Sequence, residues 1–159
     1  MNSRDTWDAC ASEYDSSLQK VAGPCIVKLL EQVGLLPVTS SSRTIKVIDL
    51  ACGPGFLGTL LGEAYSQAGY LEKVNILSTD FSSNMVKIAE RHFASRNWLS
   101  PQFSARTLDA TNLDGVPSGY YTHAFCSFGI MMVPDAPKAL NEMFRVLEPS
   151  GIRTVQEGG

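Results

Sequence analysis

The stretch Val47-Ile48-Asp49-Leu50-Ala51-Cys52-Gly53-Pro54-Gly55-Phe56-Leu57-Gly58 decides the fold of this chain. A β-branched, apolar run over residues 45–50 predicts a strand, and the spacing of apolar residues over 57–68 predicts a helix. The small residues between them predict a tight turn. A strand, a glycine turn and a helix together bring backbone N–H groups and a helix N-terminus close to a ligand. The first question is therefore which ligand this turn holds.

The composition is that of one globular domain spanning residues 1–159. Apolar residues make up 44% of the sequence and charged residues 18%, a balance that supports a packed core and argues against disorder. The net charge is −3 and no basic run occurs, so nucleic acid is not an expected partner. No apolar stretch approaches the length of a membrane span, so no membrane partner is expected either.

The start of the chain and its cysteines bear on where the protein resides. The polar sequence Met1-Asn2-Ser3-Arg4-Asp5 is unlike a signal peptide. The four cysteines, Cys10, Cys25, Cys52 and Cys126, include no C-x-x-C pair. This pattern favours reduced thiols in a cytoplasmic protein.

The first 37 residues predict a helical cap that precedes an α/β core over residues 44–159. A loose helix over residues 5–20 is expected to break at Gly23-Pro24, because Pro24 suits the first position of a second helix. The serine-rich run over residues 37–42 predicts the loop between the cap and the core.

From Thr44 onward, predicted strands and helices alternate. Ser82 or Ser83 is suited to cap one of the helices, Pro134 opens the last one, and Pro149-Ser150-Gly151 is expected to end it. This order predicts an α/β fold with a mostly parallel sheet and helices on both faces. The predicted strands cover residues 45–50, 74–79, 103–108, 121–128 and 152–155.

Three aspartates stand at the ends of predicted strands: Asp49, Asp80 and Asp109. In a parallel sheet, ligands bind outside the carboxyl ends of the strands, near the point where strand order reverses. Any one of these aspartates could simply cap a turn or a helix. Three of them at successive strand ends indicate a shared ligand.

Gly53, Gly55 and Gly58 spell G-x-G-x-x-G, so a dinucleotide must be weighed. Asp49 disfavours an NAD-dependent oxidoreductase, because a carboxylate beside the turn repels a pyrophosphate and favours an ammonium group instead. Asp80 suits a ribose diol, and the third strand-end aspartate suits the exocyclic amine of a purine. S-adenosylmethionine joins adenosine to a positively charged amino-acid tail and has no phosphate, so it satisfies all three carboxylates.

The same residues resemble the cofactor motif of the class I S-adenosylmethionine-dependent methyltransferases, in the branch that acts on small molecules. The resemblance runs from about Trp7 to Gly151, and Ser150 departs from the glycine that is common at its position. It implies a Rossmann-like, doubly wound sheet of about five strands in the order 3-2-1-4-5, S-adenosylmethionine as cofactor and a small-molecule substrate. It also implies a set of cofactor-binding residues: Tyr14, Asp49, Ala51, Cys52, Gly53, Pro54, Gly55, Asp80, Phe81, Met85, Asp109, Ala110, Ser127 and Phe128.

No catalytic residue is assigned from the sequence. A sulfonium methyl is already activated, so the resemblance implies that the protein mainly aligns the acceptor and excludes water. His123 opens the fourth predicted strand, far from its functional end, and His92 is predicted to be a surface or boundary residue. No spacing of histidines, cysteines and carboxylates suggests a metal site.

Members of this family usually continue with another helix and a terminal strand hairpin, which we expect to be lacking here, because only residues 152–159 follow the last predicted turn. We therefore expect an open edge strand that could pair with a second copy in a homodimer. The first predicted function is methyl transfer to a small molecule. The alternative is a methyltransferase-like protein that acts as a cofactor- or metabolite-binding scaffold, as a partner subunit or as a cofactor-independent enzyme.

Overall fold

The computed structural model describes residues 3–39 and 43–156, the side chains of residues 16–21 excepted. The helices are α1 Arg4–Gln32, α2 Phe56–Gln67, α3 Ser83–Ala94 and α4 Ala136–Val146, with short 3₁₀ turns at Leu71–Lys73 and Ile130–Met132. The strands are β1 Ile45–Leu50, β2 Val74–Asp80, β3 Phe103–Thr107, β4 Tyr121–Ser127 and β5 Leu147–Gln156. None of these helices, as far as the described residues go, combines the length and apolar character that a bilayer span requires.

All five strands are parallel and follow the order β3-β2-β1-β4-β5, which confirms the predicted fold. Strand β1 lies between β2 and β4, so the chain moves to one side of the sheet after β1 and to the other side when it reaches β4. This reversal of strand order opens a crevice at the carboxyl end of β1, where Asp49 lies.

Alternate residues along the strands divide the core into two parts. Val47 and Phe125 pack on one face of the sheet with α1, α2 and α3, whereas Ile48 and Ala124 pack on the other face with α4. Because both faces are covered, the central strands are apolar along most of their length, as is usual for parallel sheets.

The predicted break in the N-terminal cap is wrong. Residues 4–32 form one continuous helix with Pro24 inside it. Ala11 packs against Met85 and Ile88 near the start of α1, while Ile26 and its neighbours enter the main core near its end. A proline inside a helix costs about 3 kcal/mol. Packing on both sides of Pro24 offsets that cost, which local sequence reasoning could not weigh.

The end of α4 also differs from the prediction. The helix ends at Val146, and β5 begins at once with Leu147 instead of after Gly151. Leu147 already pairs with Tyr121 of β4, and the next pairing joins Ile152 to His123. The residues that were expected to form a separate turn are therefore an irregularity inside the strand.

The three glycines of the β1–α2 turn serve different steric needs. Gly53 and Gly55 have φ angles of +54° and +76°, in the left-handed region that favours glycine. A Cβ atom on Gly55 would lie 2.7 Å from the Cβ of Ala89, and one on Gly58 would lie 3.0 Å from Ile76. The last two glycines therefore let α2 approach α3 and β2.

Gly55→Ala is expected to destabilise the protein more than Gly69→Ala does. Both glycines are left-handed, at +76° and +78°, so both variants lose about 1–2 kcal/mol through backbone strain. Only Gly55 also meets Ala89, because no atom lies within 4 Å of a Cβ on Gly69. Overpacking should add about 1–3 kcal/mol to the loss at Gly55, measured by urea unfolding. An equal decrease in the free energy of unfolding in the two variants would show that the close approach of Gly55 to α3 does not affect stability.

Candidate functional site

A cavity opens at the carboxyl ends of the strands, beneath the first part of α1. Its empty volume is about 870 Å³, a figure that includes open solvent at the mouth. Ten of the residues implied by the resemblance line it: Tyr14, Ala51, Gly53, Asp80, Phe81, Met85, Asp109, Ala110, Ser127 and Phe128. Helix α1 and the ends of four strands therefore contribute residues to one cavity.

A smaller inner cavity adjoins this outer cavity on the side of the glycine turn. Asp49 and Cys52 line the inner cavity and not the outer one. Five residues line both, and so mark the junction between the two: Tyr14, Ala51, Gly53, Ser127 and Phe128. Pro54 and Gly55 line neither of these cavities, and they contribute instead to the shape of the turn.

The carboxyl group of Asp49 is buried without full hydrogen bonding. Only 2% of the residue is exposed, and its Oδ1 atom has no hydrogen-bond partner in the described part of the chain. Burial, and secondarily the nearby charge of Asp80, raises the pKa of Asp49 to about 8. The Oγ atom of Ser127, at the junction, is also buried and unpartnered there. A ligand with donor groups would satisfy both atoms.

Asp80 ties the glycine turn to the start of α3. Its Oδ2 accepts a hydrogen bond from the N–H of Gly53, and its Oδ1 accepts one from the N–H of Ser82, each at 2.9 Å. Burial raises the pKa of Asp80, and these two bonds partly counteract that effect. The carboxylate is therefore held in one orientation at the floor of the outer cavity.

Asp109 lines the outer cavity and also caps a turn. Its Oδ1 accepts hydrogen bonds from the N–H and the hydroxyl of Thr111, at 2.8 and 2.9 Å. Asp109 is exposed, whereas Ala110 beside it is buried. Asp109 is thus the most solvent-accessible of the three strand-end carboxylates.

Helix α1 covers the site through an aromatic pair. The rings of Trp7 and Tyr14 meet edge to face with centroids 5.5 Å apart, and a Cβ on Gly53 would lie 3.6 Å from the Tyr14 ring. The helix is fastened beside the site by Asp8, which accepts hydrogen bonds from the hydroxyl of Ser82 and, at 3.0 Å, from the N–H of Asn84. The cap therefore contacts the same α3 start that Asp80 holds.

Two residues beside the junction have left-handed backbones although neither is glycine. Ala51 has a φ of +50° and Phe128 a φ of +58°. The segment after β4 approaches Ala51 so closely that a Cβ on Gly129 would lie 2.5 Å from the Ala51 Cβ. Backbone strain of this kind is concentrated at functional sites, where surrounding packing maintains it.

Six of the residues that line the outer cavity were not identified from the sequence. Trp7 lies two helical turns before Tyr14, so helix periodicity could have placed it on the same side of α1. The residues after β4 could have been found by extending the strand-end rule into the following loop. The full set is Trp7, Leu108, Gly129, Met132, Val133 and Pro134.

Neither histidine lines the two cavities. His123 is buried within β4, its Nδ1 atom is 2.8 Å from the hydroxyl of Thr122, and burial lowers its pKa to about 4. His92 lies at the boundary between α1 and α3, where its Nε2 atom is 3.0 Å from Asp15 Oδ1. Both side chains have structural partners away from the strand ends.

Residues 47–151 match the family of methyltransferase domains. The chain belongs to this family. The matched part of the methyltransferase domain contains the glycine turn and all three strand-end aspartates, Asp49, Asp80 and Asp109. The predicted resemblance to class I S-adenosylmethionine-dependent methyltransferases is thereby confirmed, and membership of this family implies the use of S-adenosylmethionine.

Curated relatives of this methyltransferase domain are longer proteins. Methyltransferase tpcH of Aspergillus fumigatus is 29% identical over 112 residues, which cover 70% of this chain and 38% of the relative. A demethylmenaquinone methyltransferase of Paenarthrobacter aurescens is 34% identical over 112 residues, again 70% of this chain and 38% of the relative. The chain thus spans about two fifths of the length of these relatives.

A solved structure with the same fold is that of the [4+2]-cyclase SpnF. It superimposes with a TM-score of 0.64 at 22% identity, covering 80% of this chain and 43% of that chain. At that identity the likeness shows the fold alone.

Asp49→Asn is expected to change how stability depends on pH in the unliganded protein. The pKa of Asp49 is about 8 in the folded chain against 3.8 for the free group, so the folded state retains a proton that the unfolded state loses between these values. The stability of the wild type should therefore fall as pH rises through this window. The Asn variant has no titrating group at position 49, so it lacks this contribution. The melting temperature of the variant relative to wild type should rise by at least about 2–4 °C between pH 5 and pH 8.

Asp114→Asn is the control for this measurement, because Asp114 is exposed and lines neither cavity. Its melting temperature should stay at a constant offset from wild type across the same pH range. If the Asp49 variant behaves like this control, the carboxyl of Asp49 is ionised in the folded protein and the proposed burial effect is absent.

Proposed function

We propose that this chain binds S-adenosylmethionine at the strand ends and transfers its methyl group to a small-molecule acceptor. The observation that carries the proposal is the buried side chain of Asp49, a residue that lines the inner cavity and has a carboxyl oxygen without a hydrogen-bond partner in the described part of the chain. No lysine, arginine or histidine lines that cavity in the described part of the chain. An ammonium group on a ligand would supply the missing partner.

The rest of the donor set suits the remainder of the same molecule. Asp80 is held by two backbone N–H groups, and each carboxylate oxygen has further lone-pair capacity to accept a ribose hydroxyl. Phe81 and Met85 offer apolar contacts for a purine ring. Asp109 lines the same cavity and could accept a hydrogen bond from the exocyclic amine of the purine. Phosphates would instead meet these carboxylates with like charge.

When bound, S-adenosylmethionine supplies an electrophilic methyl on sulfur, and the sulfur retains the bonding electron pair when the methyl leaves. The residues of this chain orient that group and exclude water. Tyr14 and Phe128 line both cavities at the junction, so their aromatic rings are available to the region where the two parts of the ligand would meet. An aromatic face near a cation contributes about 0.5–2 kcal/mol. Trp7 extends the cover outward from Tyr14 and limits solvent access.

The names of the curated relatives support a small-molecule acceptor, since they include a demethylmenaquinone methyltransferase. We further propose a cytoplasmic protein with neither nucleic acid nor membrane as a partner. Its net charge of −3 disfavours phosphate backbones. Strand β5 is the last strand of the sheet and offers one side for pairing with a second copy in a homodimer.

A second candidate is a protein that binds the cofactor but does not transfer the methyl group. It is favoured by the lining of the outer cavity, in which the described residues include no histidine or lysine that could take a proton from an acceptor. Incubation with labelled S-adenosylmethionine and a metabolite extract separates the two candidates. Label in an extract component supports transfer, and binding without transferred label supports the second candidate.

Cofactor binding is tested by calorimetry with S-adenosylhomocysteine on wild type and on Asp80→Ala. The variant loses hydrogen bonds between a charged group and the ligand, so its affinity should fall by about tenfold or more. Asp114→Ala is the matched control, because this exposed aspartate lies outside both cavities, and its affinity should equal that of wild type. Absent binding in wild type, or equal binding in Asp80→Ala, would contradict the proposal. Circular dichroism establishes that each variant is folded.

A further inference from the structure

We propose that the acceptor binds against an apolar wall formed by Trp7 of α1 and residues 132–134 after β4, and that this wall selects an uncharged aromatic compound over an anionic one. The inference rests on the proposed function, since it requires the cofactor to occupy the floor of the outer cavity.

The wall consists of residues that line the outer cavity but do not belong to the cofactor motif. The strand ends and the glycine turn provide the carboxylates and the residues at the junction, and these suit the adenosine and amino-acid parts of the ligand. Trp7, Met132, Val133 and Pro134 line the same cavity but belong to neither the strand ends nor the turn. A second molecule that enters the cavity therefore has these side chains to contact.

The chemistry of this wall is apolar and partly aromatic. Trp7 is half-buried and stands edge to face with Tyr14, so its indole ring forms part of a fixed surface. Met132 is 37% exposed although it is a large apolar residue, and it lines the outer cavity. A thioether makes favourable contacts with aromatic rings, and a ring compound seated here would remove its apolar surface from water.

The charge of the cavity determines which ring compounds can bind. The only charged side chains in its lining, within the described residues, are the carboxylates of Asp80 and Asp109. An anionic acceptor would meet two like charges and no side-chain cation to pair with. Bound S-adenosylmethionine adds one net positive charge, which is less than the two carboxylates carry. An uncharged acceptor avoids this repulsion while keeping all the apolar contacts.

The proposal is tested with two probes that share a ring system and differ in charge, 2-naphthol and 2-naphthoate. Each is titrated into the folded protein saturated with S-adenosylhomocysteine at neutral pH, where the naphthol is uncharged, and binding is followed by ligand-detected NMR. We expect 2-naphthol to bind about tenfold more tightly than 2-naphthoate. Equal affinities, or tighter binding of the anion, would overturn the proposal.

Two neighbouring methionines provide a matched pair of variants. Met131 and Met132 are 49% and 37% exposed in the same short 3₁₀ turn, but only Met132 lines the cavity. Met132→Lys should raise the affinity for 2-naphthoate several-fold and lower that for 2-naphthol, whereas Met131→Lys should change neither. The same response in both variants, or no response in Met132→Lys, would overturn the assignment of the wall.

Calorimetry with S-adenosylhomocysteine on the same samples keeps the two proposals apart. Binding of S-adenosylhomocysteine without discrimination between the naphthalene probes overturns the acceptor wall and leaves the proposed function standing. Failure of wild type to bind S-adenosylhomocysteine overturns the proposed function, and the inference that rests on it, whatever the probes do.

Discussion

The site depends on the two hydrogen bonds that the carboxylate of Asp80 accepts, because they join segments that are far apart in the chain. One oxygen accepts the N–H of Gly53 in the turn after β1, and the other accepts the N–H of Ser82 before α3. The hydroxyl of Ser82 in turn accepts the N–H of Met85 and donates to Asp8 of the cap helix. Burying a charged carboxylate is costly unless hydrogen bonds compensate for the lost water, and the bonds that compensate Asp80 also join the segments of the cavity floor.

Close backbone approach is the second requirement of the site. The left-handed conformations of Ala51 and Phe128 direct the chain around the junction, and Gly129 lets the segment after β4 reach Ala51. On the other side of the turn, Gly55 lets α2 pack against α3. These contacts leave little freedom to the residues between them. The strained backbones lie where the outer and inner cavities meet, which is where the reacting part of a bound ligand would be.

Asp49 and Asp80 have different hydrogen-bonding environments although they lie in neighbouring strands. Asp80 has a backbone N–H donor on each carboxylate oxygen. Asp49 has an oxygen without a hydrogen-bond partner in the described part of the chain, and burial raises its pKa to about 8. The local backbone contributes to this difference, since the N–H of Gly53 in the turn after β1 donates to Asp80.

The sequence by itself determined the alternation of strands and helices, the glycine turn and the three strand-end aspartates. These features depend on local periodicity and turn chemistry, which is why β1 was predicted at its observed bounds, residues 45–50. The cap of α3 was predicted to be Ser82 or Ser83, and it is Ser82. Only the tertiary structure decided that α1 continues through Pro24, that Leu147 already belongs to β5, and that Trp7 lines the same cavity as Met132. The tertiary structure also decided the burial of Asp49 and, with it, the raised pKa of its carboxyl group. Each of these outcomes depends on burial and on contacts between residues remote in sequence, as between Asp8 and Ser82, 74 positions apart, and local patterns carry no information about such contacts.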